Sequence, residues 1–215
     1  MKLIIFDLDG TLINTLEDLA NSGNYALTMH GLPIHPTQDF KRFVGNGIDK
    51  LIERIVPPHE RSAELLDKVK KTFILYYNEH AQDATQVYPG IAELLLFLQK
   101  NDFKISIATN KYHAAALPLV SKYFPTIHFD LVLGHRENFP TKPDPSIVLE
   151  TLQTLNINKQ DCYYLGDSDV DMMTATRAGV KAIGVSWGFR AEDELRASGA
   201  DFVIHSPLEL LDIID

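Results

Sequence analysis

The chain has little of what would tie it to an oxidising compartment, a membrane or a nucleic acid. Among its 215 residues there is one cysteine, Cys162. A single thiol forms no internal disulfide, and its place in the apolar run Cys162-Tyr163-Tyr164-Leu165 reads as a buried core residue, not a reactive one. No stretch approaches the ~20 consecutive apolar residues of a membrane span. The N-terminus carries one lysine and then a short apolar run with aspartates, which is not the pattern of a signal peptide. Basic residues are in the minority, 20 Lys and Arg against 29 Asp and Glu, for a formal net charge of −9. That deficit argues against broad nucleic-acid binding, which needs a basic face. It leaves room for a small anionic ligand, because a few cations and one metal ion make a local positive site in an acidic protein. Repeats, low-complexity tracts and charge runs are missing. The eight histidines show no metal-ligand spacing; His59, His80, His128 and His205 are scattered and read as structural. The expectation is a cytoplasmic protein with no membrane or nucleic-acid partner, either a monomer or a homodimer.

Apolar content of 45% and charged content of 23% are ordinary for a soluble globular chain. The length suits one sizeable core plus a smaller subdomain, burying roughly 70% of the unfolded surface. Six short apolar runs read as strands: Lys2–Asp7, Lys104–Thr109, Phe129–Leu133, Cys162–Gly166, Ala182–Val185 and Phe202–Ile204. Most are almost continuously apolar, as expected when both faces of a sheet are covered. Between the later runs, Ile91, Leu94, Leu95 and Leu98 recur at helical spacing, as do Ile147, Val148, Thr151, Leu152 and Leu155. Strand-helix alternation predicts an α/β fold with a doubly wound parallel sheet.

The first connection breaks the rhythm. From about Asn14 to Gln86 no strand is legible, while Leu16, Leu19, Ala20, Gly23 and Leu27, then Leu51, Ile52 and Ile55, then Leu65, Leu66, Val69, Phe73 and Tyr76 form helical stripes. Roughly seventy residues far exceed the about 2–6 of an ordinary strand-to-helix loop. Residues 14–86 are therefore read as a small helical domain inserted after the first strand, with residues 1–13 and 87–215 forming the core. Linkers near Asn14–Thr15 and Ala84–Val87 could act as a hinge. The stripes read as core, with no ligand role.

Four segments carry candidate chemistry. Asp7-Leu8-Asp9-Gly10-Thr11 follows the first apolar run, so two carboxylates stand two residues apart at a strand end, on one side of the backbone. One can attack an electrophile or hold a cation while the other carries a proton; the plainer reading of Asp-Gly is a turn. Thr109-Asn110-Lys111 ends the second run, where hydroxyl, amide and backbone N–H groups can hold phosphate oxygens or simply cap a helix. In Lys142-Pro143-Asp144-Pro145, Pro143 keeps Lys142 extended, and Pro145 can open a helix. A fixed cation suits phosphoryl transfer. Gly166-Asp167-Ser168-Asp169-Val170-Asp171 ends the fourth run and offers acidic oxygens for a hard divalent cation, or acids for a helix dipole. If the strand reading holds, all four fall on one edge of a parallel sheet, where ligands bind. Together they suit magnesium-assisted phosphoryl transfer through an aspartyl-phosphate.

These motifs, in this order and spacing, resemble the haloacid dehalogenase superfamily over essentially the whole chain. The stretches Phe43-Val44-Gly45-Asn46-Gly47, Tyr88-Pro89-Gly90, Lys142-Pro143-Asp144-Pro145 and Gly184-Val185-Ser186-Trp187-Gly188-Phe189 resemble its phosphoglycolate phosphatase group. The resemblance implies roles. Asp7 is the nucleophile, and Asp9 protonates the leaving alkoxide and then deprotonates the hydrolytic water. Mg²⁺ is held by Asp7, Asp167 and the carbonyl of Asp9, with Asp171 orienting the metal's surroundings. Thr109 and Asn110 hold the phosphoryl, and Lys142 offsets its charge. Asp9 also separates this chain from the metal-free dehalogenases. Asn14 stands where relatives often carry Asp, which implies a local effect at the hinge. Asp169 stands where basic or neutral residues are common and adds negative charge near the metal.

The leaving group should be read by the cap. Gly45, Asn46 and Gly47, with Arg42, Lys50 and Arg54, are the candidates there, since the glycines allow close backbone approach and a cation could meet a substrate carboxylate. The expected reaction is hydrolysis of a small phosphorylated metabolite, with 2-phosphoglycolate as the candidate. A sugar phosphomutase, a pyrophosphatase or a nucleotidase on the same core are the alternatives within enzymes. A non-catalytic binding protein that keeps the fold is the alternative outside them.

Overall fold

The computed structural model describes residues 1–214. β1 (Leu3–Phe6) and the short β2 (Ile13–Asn14) lead into helices α1 (Leu16–Met29), α2 (Phe40–Phe43), α3 (Ile48–Ile55) and α4 (Ala63–His80). β3 (Gln86–Val87) brings the chain back. Helices and strands then alternate: α5 (Ile91–Lys100), β4 (Lys104–Tyr112), α6 (His113–Tyr123), β5 (Leu131–His135), α7 (Ser146–Leu155), β6 (Cys162–Gly166), α8 (Asp169–Ala178), β7 (Lys181–Val185), α9 (Glu192–Ala197), β8 (Phe202–Ile204) and α10 (Leu211–Ile214).

Six strands form one sheet in the order β5-β4-β1-β6-β7-β8, and every neighbouring pair is parallel. Along β1, Ile4 and Phe6 pack on one face with Ile105, Ile107, Leu94 and Leu98. Leu3 and Ile5 pack on the other with Tyr164, Ala182 and Val148. Burial on both faces explains why these strands carry unbroken apolar runs. The fold is a doubly wound α/β sandwich. From β1 the chain moves outward through β4 and β5, then returns to the other side of β1 as β6. The order reverses beside β1, so the crevice at its carboxyl end is open for a ligand.

The segment between β2 and β3 has a hydrophobic cluster of its own, built from Leu19, Leu27, Phe40, Ile52, Ile55, Val69 and Phe73 among others. Its stripes are those the spacing predicts, because a helix in a small unit must bury one face against its neighbours. Ser62 caps α4 by accepting from Leu65 N at 3.2 Å. Where the segment joins the core, β2 pairs antiparallel with β3. The buried Asp18 carboxylate accepts from Ala84 N, Thr85 N and Thr85 Oγ1 at 2.9, 2.9 and 2.6 Å, tying α1 to the returning chain. Two-residue strands are too short for periodicity to register them.

Two strands differ from their apolar runs by more than one residue at an end. The run Phe129–Leu133 predicts a strand two residues earlier than β5. Asp130 instead turns its carboxylate to Ile105 N at 2.9 Å, and pairing starts after it. β4 continues past Thr109 to Tyr112, with its register against β5 shifted between Ala108 and Tyr112. Such an irregularity re-aims side chains locally, and here it falls on Thr109, Asn110 and Lys111.

Candidate active site

The carboxyl ends of β1, β4 and β6 converge beside a cavity of about 620 Å³ between the sheet edge and the helical segment. Asp7, Asp9, Thr109, Asn110, Asp167 and Ser168 line it from the sheet; Gly45, Gly47, Ile48, Phe73 and Tyr77 line it from the helices. Asp7, Asp167 and Asp171 each offer a carboxylate oxygen within 4.8 Å of the others.

Asp7 directly follows β1, and its backbone N–H still bonds Leu165 O at 2.9 Å, which fixes the carboxylate at the tip. The Lys142 ammonium lies 3.0 Å from Asp7 Oδ1. Its N–H bonds, however, go to Asp171 Oδ1 at 2.7 Å, Tyr164 Oη at 2.9 Å and Ala108 O at 3.1 Å. The contact with Asp7 is therefore one of charge, and buried Asp7 Oδ1 is left without a hydrogen-bond donor. Asp171 is the third residue of α8. It forms a reciprocal capping box with Ser168 and takes Lys142 on its other oxygen, so its carboxylate is fully engaged. Asp167 accepts from Phe189 N at 2.8 Å and Thr11 Oγ1 at 3.2 Å. Backbones press close on it: a Cβ at Gly10, where φ is 85°, would stand 2.3 Å from Asp167 Oδ2, and one at Gly188 2.2 Å from its Cβ. Only glycine fits at either place.

This acidic trio against one lysine leaves negative charge uncompensated. Burial pushes the Asp7 carboxyl up to about 7; Lys142 opposes the shift, and Asp171 and Asp9 add to it. Burial, then Asp171 and Asp7, push Asp167 well up also. Three clustered carboxylates met by one ammonium, two of them held against ionisation, are what a hard divalent cation would satisfy. The residues present fit such an ion.

Asp9 stands on the cavity side. Thr15 Oγ1 donates to its Oδ1 at 2.9 Å, and Lys111 Nζ lies 3.1 and 3.2 Å from its two oxygens. Asn110 uses its side chain as a clasp: Nδ2 donates to Lys142 O and to Gly45 O, and Oδ1 accepts from Lys142 N. Asn14 accepts from Leu16 N at 3.2 Å in an Asx turn just before α1, a local effect at the junction. Asp169 is met by Arg190 Nε at 3.7 Å.

The structure thus brings Asp7, Asp9, Thr109, Asn110, Lys142, Asp167 and Asp171 together, with Lys142 and Asp171 one layer behind the cavity wall. The expected cap cations are elsewhere. Lys50 pairs with Glu53 at the surface and Arg42 is exposed. Arg54 is spent on Phe43 O and on Asn46 Oδ1, which turns Asn46 away from the cavity. Three residues with no role in the sequence reading reach the site. Lys111 enters through the irregularity in β4, Tyr77 continues the α4 stripe, and Arg190 bonds Val44 O at 2.9 Å and Lys41 O across the junction. The signal for Lys111 was its place next to Thr109-Asn110. For Tyr77 and Arg190 there was none.

A family model described as haloacid dehalogenase-like hydrolase matches residues 4–185. A phosphoglycolate phosphatase of Chromobacterium violaceum is 35% identical over 218 residues, covering 100% of this chain and 96% of that one. One of Mesorhizobium japonicum is 34% identical over 189 residues, covering 87% and 83%. The crystal structure of a predicted phosphoglycolate phosphatase from Haemophilus somnus superposes with a TM-score of 0.93 at 28% identity, over 100% of this chain and 98% of that one. With its ordered motifs gathered at one sheet edge, the chain belongs to the haloacid dehalogenase-like hydrolases and, within them, resembles the phosphoglycolate phosphatases.

Proposed function

We propose that the protein is a Mg²⁺-dependent phosphatase that hydrolyses a small phosphorylated metabolite, 2-phosphoglycolate being the candidate, through an aspartyl-phosphate, and that it works in the cytoplasm. The observation that carries this is the buried trio Asp7, Asp167 and Asp171, whose carboxylate oxygens lie within 4.8 Å of one another against the single ammonium of Lys142, with Asp7 and Asp167 lining the cavity. The side chains of Asp7 and Asp167 and the main-chain carbonyl of Asp9 would hold the ion, with Asp171 in support behind them. Bound there, a divalent cation supplies the positive charge that keeps Asp7 ionised and offsets the phosphoryl.

The chain's own residues do the rest. Asp7 attacks phosphorus, and the bond from phosphorus to the leaving oxygen breaks. Asp9 gives that oxygen a proton. It then takes one from the water that attacks the aspartyl-phosphate, so that phosphate departs and Asp7 is restored. Thr109 Oγ1 and the Asn110 N–H hold the phosphoryl oxygens, and Lys142 balances the charge gathered around Asp7. Residues 14–86 act as a cap over the core formed by 1–13 and 87–215, shielding the reaction from bulk water. In that cap, Gly45 and Gly47 present backbone to the leaving group.

The substrate reading is supported by the names of the relatives. It predicts phosphate release from 2-phosphoglycolate with Mg²⁺, loss of that release in EDTA, and loss of at least about 10⁴-fold in kcat for Asp7→Asn. Robust turnover in EDTA would refute the metal assignment; turnover by Asp7→Asn would refute the nucleophile.

A further inference from the structure

Lys111 has no part in the reaction as set out above, yet it is the best-buried cation in the cavity wall. Its side chain is 5% exposed. Nζ touches both Asp9 oxygens on one side and Tyr77 Oη, at 2.7 Å, on the other. The other cations of this wall are engaged away from Asp9. Arg190 is held by carbonyls of Lys41 and Val44, and Lys70 is paired with Asp49 at the surface. An ammonium so deeply buried is costly unless a carboxylate faces it, and here the carboxylate is the residue that must also face the leaving oxygen.

That geometry limits what can enter. Any leaving group that Asp9 serves is brought within a few ångströms of Lys111 Nζ, because Nζ is within hydrogen-bond distance of both Asp9 oxygens. A neutral substituent there leaves the ammonium as it stands. A carboxylate one carbon from the ester oxygen would meet it directly and form a charge-assisted hydrogen bond in a site closed off from water. Tyr77, on the cap helix α4, fixes the ammonium in the one place where core and cap both touch it.

We propose that Lys111 is the specificity residue of this site, and that it selects phosphate monoesters whose leaving group carries a carboxylate next to the ester oxygen. This rests on the phosphatase reading and deepens it. Lys111 exchanges one of its Asp9 contacts for the substrate carboxylate, and Tyr77 is the positioning residue that holds it during the exchange.

The test compares two esters with the same two-carbon leaving-group frame, 2-phosphoglycolate and hydroxyethyl phosphate, whose substituent is neutral, with Mg²⁺ present. The wild type should favour the carboxylate ester in kcat/KM by about 100-fold, the scale of one hydrogen bond to a charged group. Lys111→Gln should lose most of that ratio; whatever it costs the reaction through Asp9 falls on both esters alike, so the ratio reports the carboxylate contact. Lys111→Arg should restore part of the preference. Parity between the esters in the wild type overturns the proposal whether or not the variants fold, and so does an equal fall on both esters in Lys111→Gln. A wild type that releases no phosphate from either ester removes the phosphatase reading, and this proposal with it.

Discussion

Lys142 and Lys111 are both buried cations facing carboxylates at the same sheet edge, and they are held in opposite ways. Lys142 is bound wholly within the core, by Asp171, Tyr164 and the carbonyl of Ala108, with Asp7 at charge distance. Lys111 is shared, with Asp9 from the core and Tyr77 from the helical segment. In both, burial works against the charged form, and the carboxylates outweigh it: Asp171 then Asp7 for Lys142, Asp9 for Lys111. The first lysine is fixed whatever the helices do. The second depends on where they sit. The Lys142 side of the site is therefore the rigid one, and the Lys111 side is assembled from two parts of the chain.

Breaking the rigid side should do the most damage. Lys142→Ala leaves Asp7, Asp167 and Asp171 buried with no partner charge. Stability should fall by about 3–5 kcal/mol, the cost of stranding one half of a buried ion pair. Activity should fall about 10³-fold, read by denaturant unfolding and steady-state kinetics. On the other side, Lys111→Gln should show its effect as a change in the preference between the two esters.

A smaller effect sharpens the comparison through pH. Asp7 rises from an ordinary carboxylate value of 3.8 to about 7 on folding, and Asp167 shifts the same way. Between those values the metal-free folded protein holds protons that the unfolded chain has lost. Its stability should fall as pH rises through that window, by up to about 1.4 kcal/mol per pH unit for each group. On the proposed reading, Mg²⁺ would take the place of those protons. The gain in melting temperature on adding Mg²⁺ should therefore grow from pH 5 to pH 8. A gain that is flat across that range would show that these carboxylates do not hold the ion.

The same division explains what could be read from the sequence. The sheet was legible because its strands are covered on both faces and so carry unbroken apolar runs. Asp7, Thr109 and Asp167 were legible because each ends or follows such a run, so local sequence fixes which edge they occupy; Lys142 was legible from the prolines that follow it. Lys111 was not, because the broken register of β4 against β5 turns it into the cavity, and nothing in an apolar pattern encodes that. Tyr77 lies on a stripe that looks like core and is largely core; only its hydroxyl reaches the site. Arg190 contacts the loop at Lys41 and Val44 from far along the chain, a pairing that only the folded backbone creates. The cap cations Arg42, Lys50 and Arg54 misled for the same reason: their number near Gly45 was visible, their direction was not.

The most direct test is to quench the enzyme in acid during turnover of a phosphate-labelled ester and map the label. The account predicts label on the peptide containing Asp7, sensitive to hydroxylamine and missing from Asp7→Asn. Full release of labelled phosphate, with no label on that peptide at any quench time, would contradict it.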